Sequence, residues 1–205
     1  MAESTVFNAD CMEVMRQYPD GYFDLAVVDP PYGINAGKMT MGKGKNKKFR
    51  KGKDWDSGIP SAEYFKELFR VSKHQVIWGG NYFGLPPNRC FLIWEKTNIP
   101  ENFSMAMAEY AWCSMDANAK VIKLSSAGIV DRFHPTQKPV ALYDWIFAKY
   151  AKPGFKILDT HLGSGSSRIA AHNAGLDFVG IEIDPEYFQM SVERFDNATA
   201  QMSLT

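Results

Sequence analysis

The stretch Tyr22-Phe23-Asp24-Leu25-Ala26-Val27-Val28, followed at once by Asp29-Pro30-Pro31-Tyr32, decides the fold. The apolar run is typical of a buried β-strand, and the two prolines end that strand abruptly in a loop. In open α/β sheets, ligands bind just beyond the carboxyl ends of the strands. We therefore predict an α/β protein with a binding site at residues 29–32.

Residues 29–32 combine hydrogen-bond acceptors with a flat aromatic ring. An ionised aspartate only accepts hydrogen bonds, and each proline offers a carbonyl but no N–H. Asp29 and the Pro30 carbonyl can each accept one hydrogen of a planar NH₂ group, such as the exocyclic amine of adenine or cytosine, while Tyr32 stacks on its ring. A surface turn capped by the aspartate is the alternative interpretation. The predicted catalytic residues are Asp29, Pro30, Pro31 and Tyr32.

Composition indicates an ordinary globular protein. The chain has 205 residues, 45% hydrophobic and 22% charged, and we expect one domain over residues 1–205. We see no run long enough to cross a membrane and no signal peptide, and the three scattered cysteines form neither a disulfide framework nor a metal site. A cytoplasmic protein without a metal is the expectation.

A basic segment stands out in a chain of zero net charge. Residues 38–53 hold eight basic residues and no acidic one, which leaves 15 basic and 23 acidic residues elsewhere. Such a segment in an acidic body indicates a polyanionic partner, whereas the simpler alternative is a solvated loop. The predicted basic loop spans residues 33–57, and its predicted DNA contacts are Lys38, Lys43, Lys45, Lys47, Lys48, Arg50, Lys51, Lys53 and Trp55.

The C-terminal part contains a second strand-end site. A predicted strand at residues 155–158 runs into a Gly-x-Gly turn and a helix, and the next strand ends at Glu182. Glycines let a cofactor approach the backbone, and an acid about 20 residues on can bind a ribose diol. No basic phosphate cradle accompanies the turn, so a nucleoside without phosphates fits better than a nucleotide. With an amine site nearby, S-adenosylmethionine is the obvious donor.

Three ordered motifs resemble those of the DNA amino-methyltransferases, which modify adenine N6 or cytosine N4. Residues 29–32 match the family's catalytic motif, and Asp159-Thr160-His161-Leu162-Gly163-Ser164-Gly165-Ser166 is similar to its cofactor motif, with His161 where phenylalanine is usual. The segment His134-Pro135-Thr136-Gln137-Lys138-Pro139 is similar to the one that precedes the cofactor motif in the family. The catalytic motif comes first, which resembles the beta-class order.

The resemblance implies the S-adenosylmethionine-dependent methyltransferase fold, an α/β architecture. In it, a mostly parallel seven-stranded sheet with one antiparallel strand carries helices on both faces. It also implies that Asp10 and Cys11 line the adenine pocket of the cofactor. The predicted cofactor-binding residues are Asp10, Cys11, Asp29, Thr136, Lys138, Asp159, His161, Gly163, Ser164, Gly165, Ser166, Ser167, Glu182 and Ile183.

The activity that the resemblance implies is site-specific methylation of double-stranded DNA at the N6 amine of a flipped-out adenine. Tyr32, Tyr82 and Phe83 are the predicted stacking residues. The irregular stretch at residues 115–133 is predicted to be a short target-recognition region, shared with the basic loop or a second subunit of a homodimer. Cytosine-N4 methylation, an RNA or protein-amide substrate, and a non-catalytic DNA-binding subunit are the alternatives. A restriction-modification system is the expected setting.

Overall fold

The computed structural model describes residues 2–35, 56–103, 105–127 and 132–202. The predicted DNA contacts Lys38 to Lys53 and Trp55 lie outside the described residues, so they stay predictions. Within the described ranges, no helix combines the length and apolar character needed to cross a membrane.

Strands and helices alternate over most of the described chain. The strands are β1 (Ser4–Asn8), β2 (Phe23–Val28), β3 (Ser72–Trp78), β4 (Phe91–Glu95), β5 (Ala108–Cys113), β6 (Lys120–Lys123), β7 (Lys156–Asp159) and β8 (Asp177–Glu182). The helices are α1 (Cys11–Met15), α2 (Ala62–Val71), α3 (Val140–Tyr150), α4 (Ser166–Asn173) and α5 (Pro185–Met202).

All eight strands form one sheet in the order β1-β8-β7-β2-β3-β5-β4-β6. Strand β5 runs antiparallel to both neighbours, β3 and β4, whereas every other pairing is parallel. The predicted mostly parallel sheet with one antiparallel strand is confirmed. The predicted count of seven strands is wrong, because Val121 and Ile122 pair with Ile93 and Trp94 and so add β6 inside the stretch we took as irregular.

Helices cover both faces of the sheet, as predicted. Strand β2 shows why: Leu25 and Val27 belong to one buried cluster, and Ala26 and Val28 to the other. Helices α3 and α4 contribute side chains to the first cluster, and α1 and α2 to the second. A central strand buried on both faces has to be apolar at every position, which accounts for the uninterrupted run Leu25 to Val28.

The parallel pairings bring several strand ends to one edge of the sheet. Strands β1, β8, β7 and β2 are neighbours, so the residues that follow them or end them lie side by side. These are Asp10, Glu182, Asp159 and Asp29. Two sites far apart in sequence therefore meet at the carboxyl edge of the sheet, where an open α/β fold binds its ligands.

Candidate active site

Asp29 is held from two sides directly after β2. The Tyr32 hydroxyl donates a hydrogen bond of 2.5 Å to Asp29 Oδ1, and Lys138 Nζ donates one of 2.5 Å to Oδ2. Burial raises the pKa of Asp29, and the Lys138 ammonium opposes that shift. The Lys138 ammonium thus contacts the Asp29 carboxylate, a contact that the sequence did not reveal.

The ring of Tyr32 is fixed by its neighbours. It stacks on Tyr82 with 5.0 Å between ring centroids and an interplanar angle of 11°, and Gly79 approaches it closely from behind. Tyr82 is 45% exposed and faces the site, as a stacking residue should. Phe83 is buried and meets Tyr32 edge-on at 6.2 Å, so it supports the tyrosine from behind instead of forming the wall.

A cavity of about 460 Å³ opens in front of Tyr32, and we call it the base pocket. All four predicted catalytic residues line it, together with Tyr82. Its lining also includes charged residues to which the sequence assigned no role, among them Asp56, Lys96 and Glu109. Asp56 accepts a hydrogen bond from the Gly33 backbone N–H at 2.9 Å, which ties together the two described ends of the predicted basic loop.

A second cavity of about 330 Å³ lies beside the first, and we call it the cofactor pocket. It is rich in acids, with Asp10, Asp29 and Glu182 in its lining against the one lysine, Lys138, among its described lining residues. Of the predicted cofactor-binding residues, the lining contains Asp10, Cys11, Asp29, Thr136, Lys138, His161, Gly163, Ser164, Glu182 and Ile183. Such a lining suits a nucleoside that carries positive charge and disfavours a phosphate.

The base pocket and the cofactor pocket share one wall. Asp29, Pro31, Thr136, Gln137 and Lys138 line both cavities. Gln137, which the sequence did not reveal, is buried, and its side-chain carbonyl accepts a hydrogen bond from the Phe133 N–H at 3.2 Å. A group bound in one cavity can therefore meet a group bound in the other at Asp29.

Acids at two strand ends shape the cofactor pocket. Glu182 accepts backbone hydrogen bonds from Gly163 at 2.8 Å and from Asp184 at 2.9 Å, so it fixes the glycine turn. Asp10 caps α1 by accepting a hydrogen bond of 2.7 Å from the Met12 N–H. Each carboxylate oxygen keeps a second acceptor site for a ligand. Burial and the neighbouring Asp10 raise the pKa of Cys11 to about 12, so its thiol stays neutral.

Four residues predicted to bind the cofactor lie behind the pocket wall. Asp159 accepts hydrogen bonds from Ser167 Oγ at 2.5 Å and from the His161 N–H at 3.0 Å, and burial raises its pKa to about 7. Ser166 Oγ donates to the Lys138 carbonyl at 2.7 Å, and Gly165 is the left-handed residue before α4, with φ of 72°. These four residues shape the turn, and they are not among the lining residues of the cavity, so their role in cofactor binding stays a prediction.

His161 joins a buried polar chain at the cofactor pocket. Its Nδ1 lies 2.9 Å from Thr160 Oγ1, which lies 2.7 Å from the Tyr64 hydroxyl. Burial lowers the pKa of His161 to about 4, so the ring is neutral near pH 7. The sequence did not predict Tyr64 at the site, because this residue comes from α2, far away in the chain.

Two bacterial relatives align with almost the whole chain. The Type II methyltransferase M2.MboI of Moraxella bovis is 24% identical over 241 residues, which cover 95% of this chain and 88% of that protein. The Type II methyltransferase M.HinfI of Haemophilus influenzae is 26% identical over 245 residues, which cover 93% of this chain and 68% of that protein.

Solved structures share the fold. The M1.HpyAVI structure, a complex with SAM, superimposes with a TM-score of 0.64 at 22% identity and covers 95% of this chain and 100% of its own. The PvuII DNA methyltransferase, which is cytosine-N4-specific, gives a TM-score of 0.65 at 12% identity and covers 98% of this chain and 91% of its own.

The family itself follows from a sequence match. The DNA methylase family model matches residues 89–193, about half of the chain. That segment includes Glu109 of the base pocket, Lys138 of the shared wall, and Gly163 and Glu182 of the cofactor pocket. The chain therefore belongs to the DNA methylase family, the N6 and N4 amino-methyltransferases of DNA.

Proposed function

We propose that this protein is a site-specific DNA methyltransferase that transfers a methyl group from S-adenosylmethionine to the N6 amine of a flipped-out adenine in double-stranded DNA. One observation carries the proposal. Asp29, an acceptor that can hold an amine, lies in the wall between two adjoining cavities of about 460 and 330 Å³.

The cofactor pocket fits S-adenosylmethionine by charge and by shape. When bound, this cofactor supplies an activated methyl group on a positively charged sulfur. The acids Asp10 and Glu182 suit the hydroxyl and amino groups of a nucleoside, and the Glu182-braced turn at Gly163 leaves room for it beside the backbone. We assign Asp10, Glu182, His161 and Thr136 to this cofactor, because their side chains line the cavity.

The chain's own residues can hold the amine in a reactive orientation. A carboxylate offers about four acceptor sites, so Asp29 can accept one amino hydrogen while Tyr32 and Lys138 still hold its oxygens. The Pro30 carbonyl, also in the base pocket, is available for the second hydrogen. With both hydrogens engaged, the nitrogen lone pair is directed away from them, and positioning supplies much of the rate.

The stacked pair Tyr32 and Tyr82 supports a flat, flipped-out base. Base–aromatic stacking is typically worth about 1–3 kcal/mol per base, which offsets a flipping cost of a few kcal/mol. The half-exposed Tyr82 ring lies at the pocket wall, where a base would enter. The basic loop supplies cations for the DNA backbone in this proposal, since Lys38 to Lys53 follow the catalytic motif closely in sequence.

Adenine is the proposed base, and cytosine N4 is the second candidate. The leading aspartate of the catalytic motif favours adenine. The cytosine candidate is supported by the likeness in fold to the cytosine-N4-specific PvuII enzyme. A cavity of about 460 Å³ accommodates either base.

The decisive experiment is incubation of unmethylated DNA with methyl-labelled S-adenosylmethionine, followed by mass spectrometry of the nucleosides. We expect label in N6-methyladenine, and sequencing of the modified DNA then gives the target site. Asp29→Ala should abolish transfer, whereas the matched variant Asp20→Ala removes an exposed carboxylate, salt-bridged to Arg70, and should not. Label in N4-methylcytosine would change the proposed base.

Absence of label in DNA would overturn the proposal. With cofactor binding demonstrated by calorimetry, that result would direct the search to RNA, a protein amide or a missing catalytic partner. Normal turnover by Asp29→Ala would also contradict the role of Asp29 as amine acceptor.

A further inference from the structure

Four side chains of alternating charge run along the base pocket. Lys96 Nζ lies 2.7 Å from Glu109 Oε1, and Lys138 Nζ lies 3.2 Å from Glu109 Oε2 and 2.5 Å from Asp29 Oδ2. We call this series, from Lys96 to Asp29, the four-charge chain. All four residues line the base pocket, and their formal charges cancel.

The outer half of the four-charge chain is anchored in regular structure. Glu109 lies in β5 opposite Trp94 of β4, and the Lys96 backbone N–H donates to the Met107 carbonyl at 2.8 Å. Asp29, by contrast, belongs to a loop after β2. The pair formed by Glu109 and Lys96 therefore supplies a fixed reference against which a loop carboxylate can be positioned.

Two tryptophans hold the lysines and exclude water. Lys138 Nζ lies 5.3 Å from the centroid of Trp78, and Lys96 Nζ lies 5.1 Å from that of Trp94. The two rings meet edge-to-face at 6.5 Å. The side chains of Lys138 and Lys96 are only 2% and 9% exposed. Charges shielded from water in this way interact more strongly than surface pairs, and cation–π contacts add to their attraction.

Lys138 is contacted by two carboxylates, Asp29 and Glu109, that compete for one ammonium. Lys96 pairs with Oε1 of Glu109 and neutralises part of its charge, so Lys138 is available to hold Asp29. We propose that Glu109 and Lys96 are positioning residues that act through Lys138 to set how firmly the Asp29 carboxylate is held and at what pH it ionises. The functional meaning of this effect on Asp29 rests on the proposed function, in which Asp29 accepts the substrate amine.

The other groups that face Asp29 stay unchanged in the test below. Tyr32 donates a hydrogen bond to it, and Tyr64, Tyr143 and Asp159 are close enough for their ionised forms to interact with it. Burial raises the pKa of Asp29; the Lys138 ammonium lowers it, and Glu109 raises it further. Removal of Glu109's charge should therefore lower the Asp29 pKa, and removal of the Lys96 charge should raise it.

The test follows the ionisation of Asp29 directly, by NMR titration of the protein labelled with ¹³C at its aspartate carboxyl carbons. Asp29→Asn assigns the signal. We expect Glu109→Gln to lower the pKa of Asp29 by roughly one unit and Lys96→Met to raise it, since one nearby charge typically shifts a pKa by 1–3 units. The double variant should resemble Glu109→Gln, because Lys96 acts through Glu109.

Matched controls come from an exposed pair nearby. Glu95 and Lys123 lie 3.2 Å apart with side chains 42% and 68% exposed, so Glu95→Gln and Lys123→Met should leave the titration of Asp29 unchanged. Shifts in the same direction for Glu109→Gln and Lys96→Met, or no shift in either, would overturn the inference. If one variant fails to fold, the other, compared with its control, still decides it.

This titration needs neither DNA nor cofactor, so its failure is distinct from failure of the proposed function. Where methylation is observed, the acid limb of the transfer rate should move in the same direction as the Asp29 pKa in each variant. A structural role alone would lower the rate at every pH without moving that limb.

Discussion

Replacement of Gly79 by alanine should displace the Tyr32 ring. Gly79 follows β3 with φ of 69°, and an added methyl would lie 2.6 Å or less from three atoms of that ring. The backbone cannot yield easily, since the Gly79 N–H donates to the Tyr110 carbonyl at 2.9 Å. The ring must therefore move, and its hydroxyl is hydrogen-bonded to Asp29, so the Asp29 carboxylate is disturbed as well.

The loss of stability in Gly79→Ala has two components, which variants at other glycines of the chain can separate. A left-handed conformation costs a non-glycine residue about 1–2 kcal/mol. Overpacking of a well-filled site costs about 1–3 kcal/mol more. The expected loss in the free energy of unfolding for Gly79→Ala is thus about 2–5 kcal/mol.

Two matched variants measure these components. Gly154 has φ of 82° and open space around it, so Gly154→Ala should show the conformational cost alone. Gly58 has open space and no such backbone strain, so Gly58→Ala should be nearly neutral. Denaturant unfolding gives the stabilities, and methyl transfer to DNA gives the activity. If Gly79→Ala were no less stable than Gly154→Ala and kept full transfer, the reasoning would be refuted.

Three further variants test the cofactor pocket. The folded protein holds His161 with a pKa of about 4 against an ordinary 6.5, so only the unfolded chain takes up a proton between these values. His161 therefore contributes a loss of stability as pH drops from about 6.5 to 4, whereas Asp159, with its pKa raised to about 7, contributes a gain over that range. His161→Phe should remove only the loss, so denaturant unfolding should show the stability of the variant rising relative to wild type as pH falls; parallel pH profiles would contradict this. Glu182→Gln turns an amide NH₂ toward a backbone N–H, so we expect a loss of about 1–3 kcal/mol in stability and weaker binding of S-adenosylhomocysteine by calorimetry. Normal affinity of Glu182→Gln for S-adenosylhomocysteine would be evidence against a role of Glu182 in binding the cofactor. Tyr64→Phe removes the hydroxyl that contacts Thr160 and should cost about 1 kcal/mol in thermal unfolding, and a neutral result would show that this bond is replaced.

The positions of the acids could be predicted because they depend on local pattern. A short apolar run followed by a turn marks a strand end, and Asp10, Asp29 and Glu182 each stand at such a point. A parallel sheet then brings its strand ends to one edge without any further information. The two-site character of the protein follows from these positions and from the order of its motifs.

The contacts of Asp29 could not be predicted from the same pattern. Lys138 is 109 residues away from Asp29, and no role was predicted for Glu109, which lies in β5. Which side chains meet across a sheet depends on strand order and register, and local periodicity carries neither. The edge contact of Phe83 with Tyr32 could not be predicted for the same reason, because it depends on how the turn after β3 folds back.

The boundary between a helix and a strand could not be predicted from the sequence where one passes directly into the other. The sequence predicts a helix that runs to about Lys73, whereas α2 ends at Val71 and β3 begins at Ser72. The Ser72 hydroxyl donates to the Leu68 carbonyl at 2.5 Å and completes the last turn of the helix. Strand β6 was missed because it is short, exposed and polar at both ends.

The strand order has a consequence for how the chain folds as it is made. Strand β1 pairs with β8, 174 residues later, and β2 needs β7 on one side. At typical synthesis rates, on the order of 10 s pass between the emergence of β2 and that of its later partner β7. During that time an apolar central strand has an open edge, which can pair wrongly with other chains. Nascent chains that stall before residue 156 should therefore depend on chaperones far more than the completed protein.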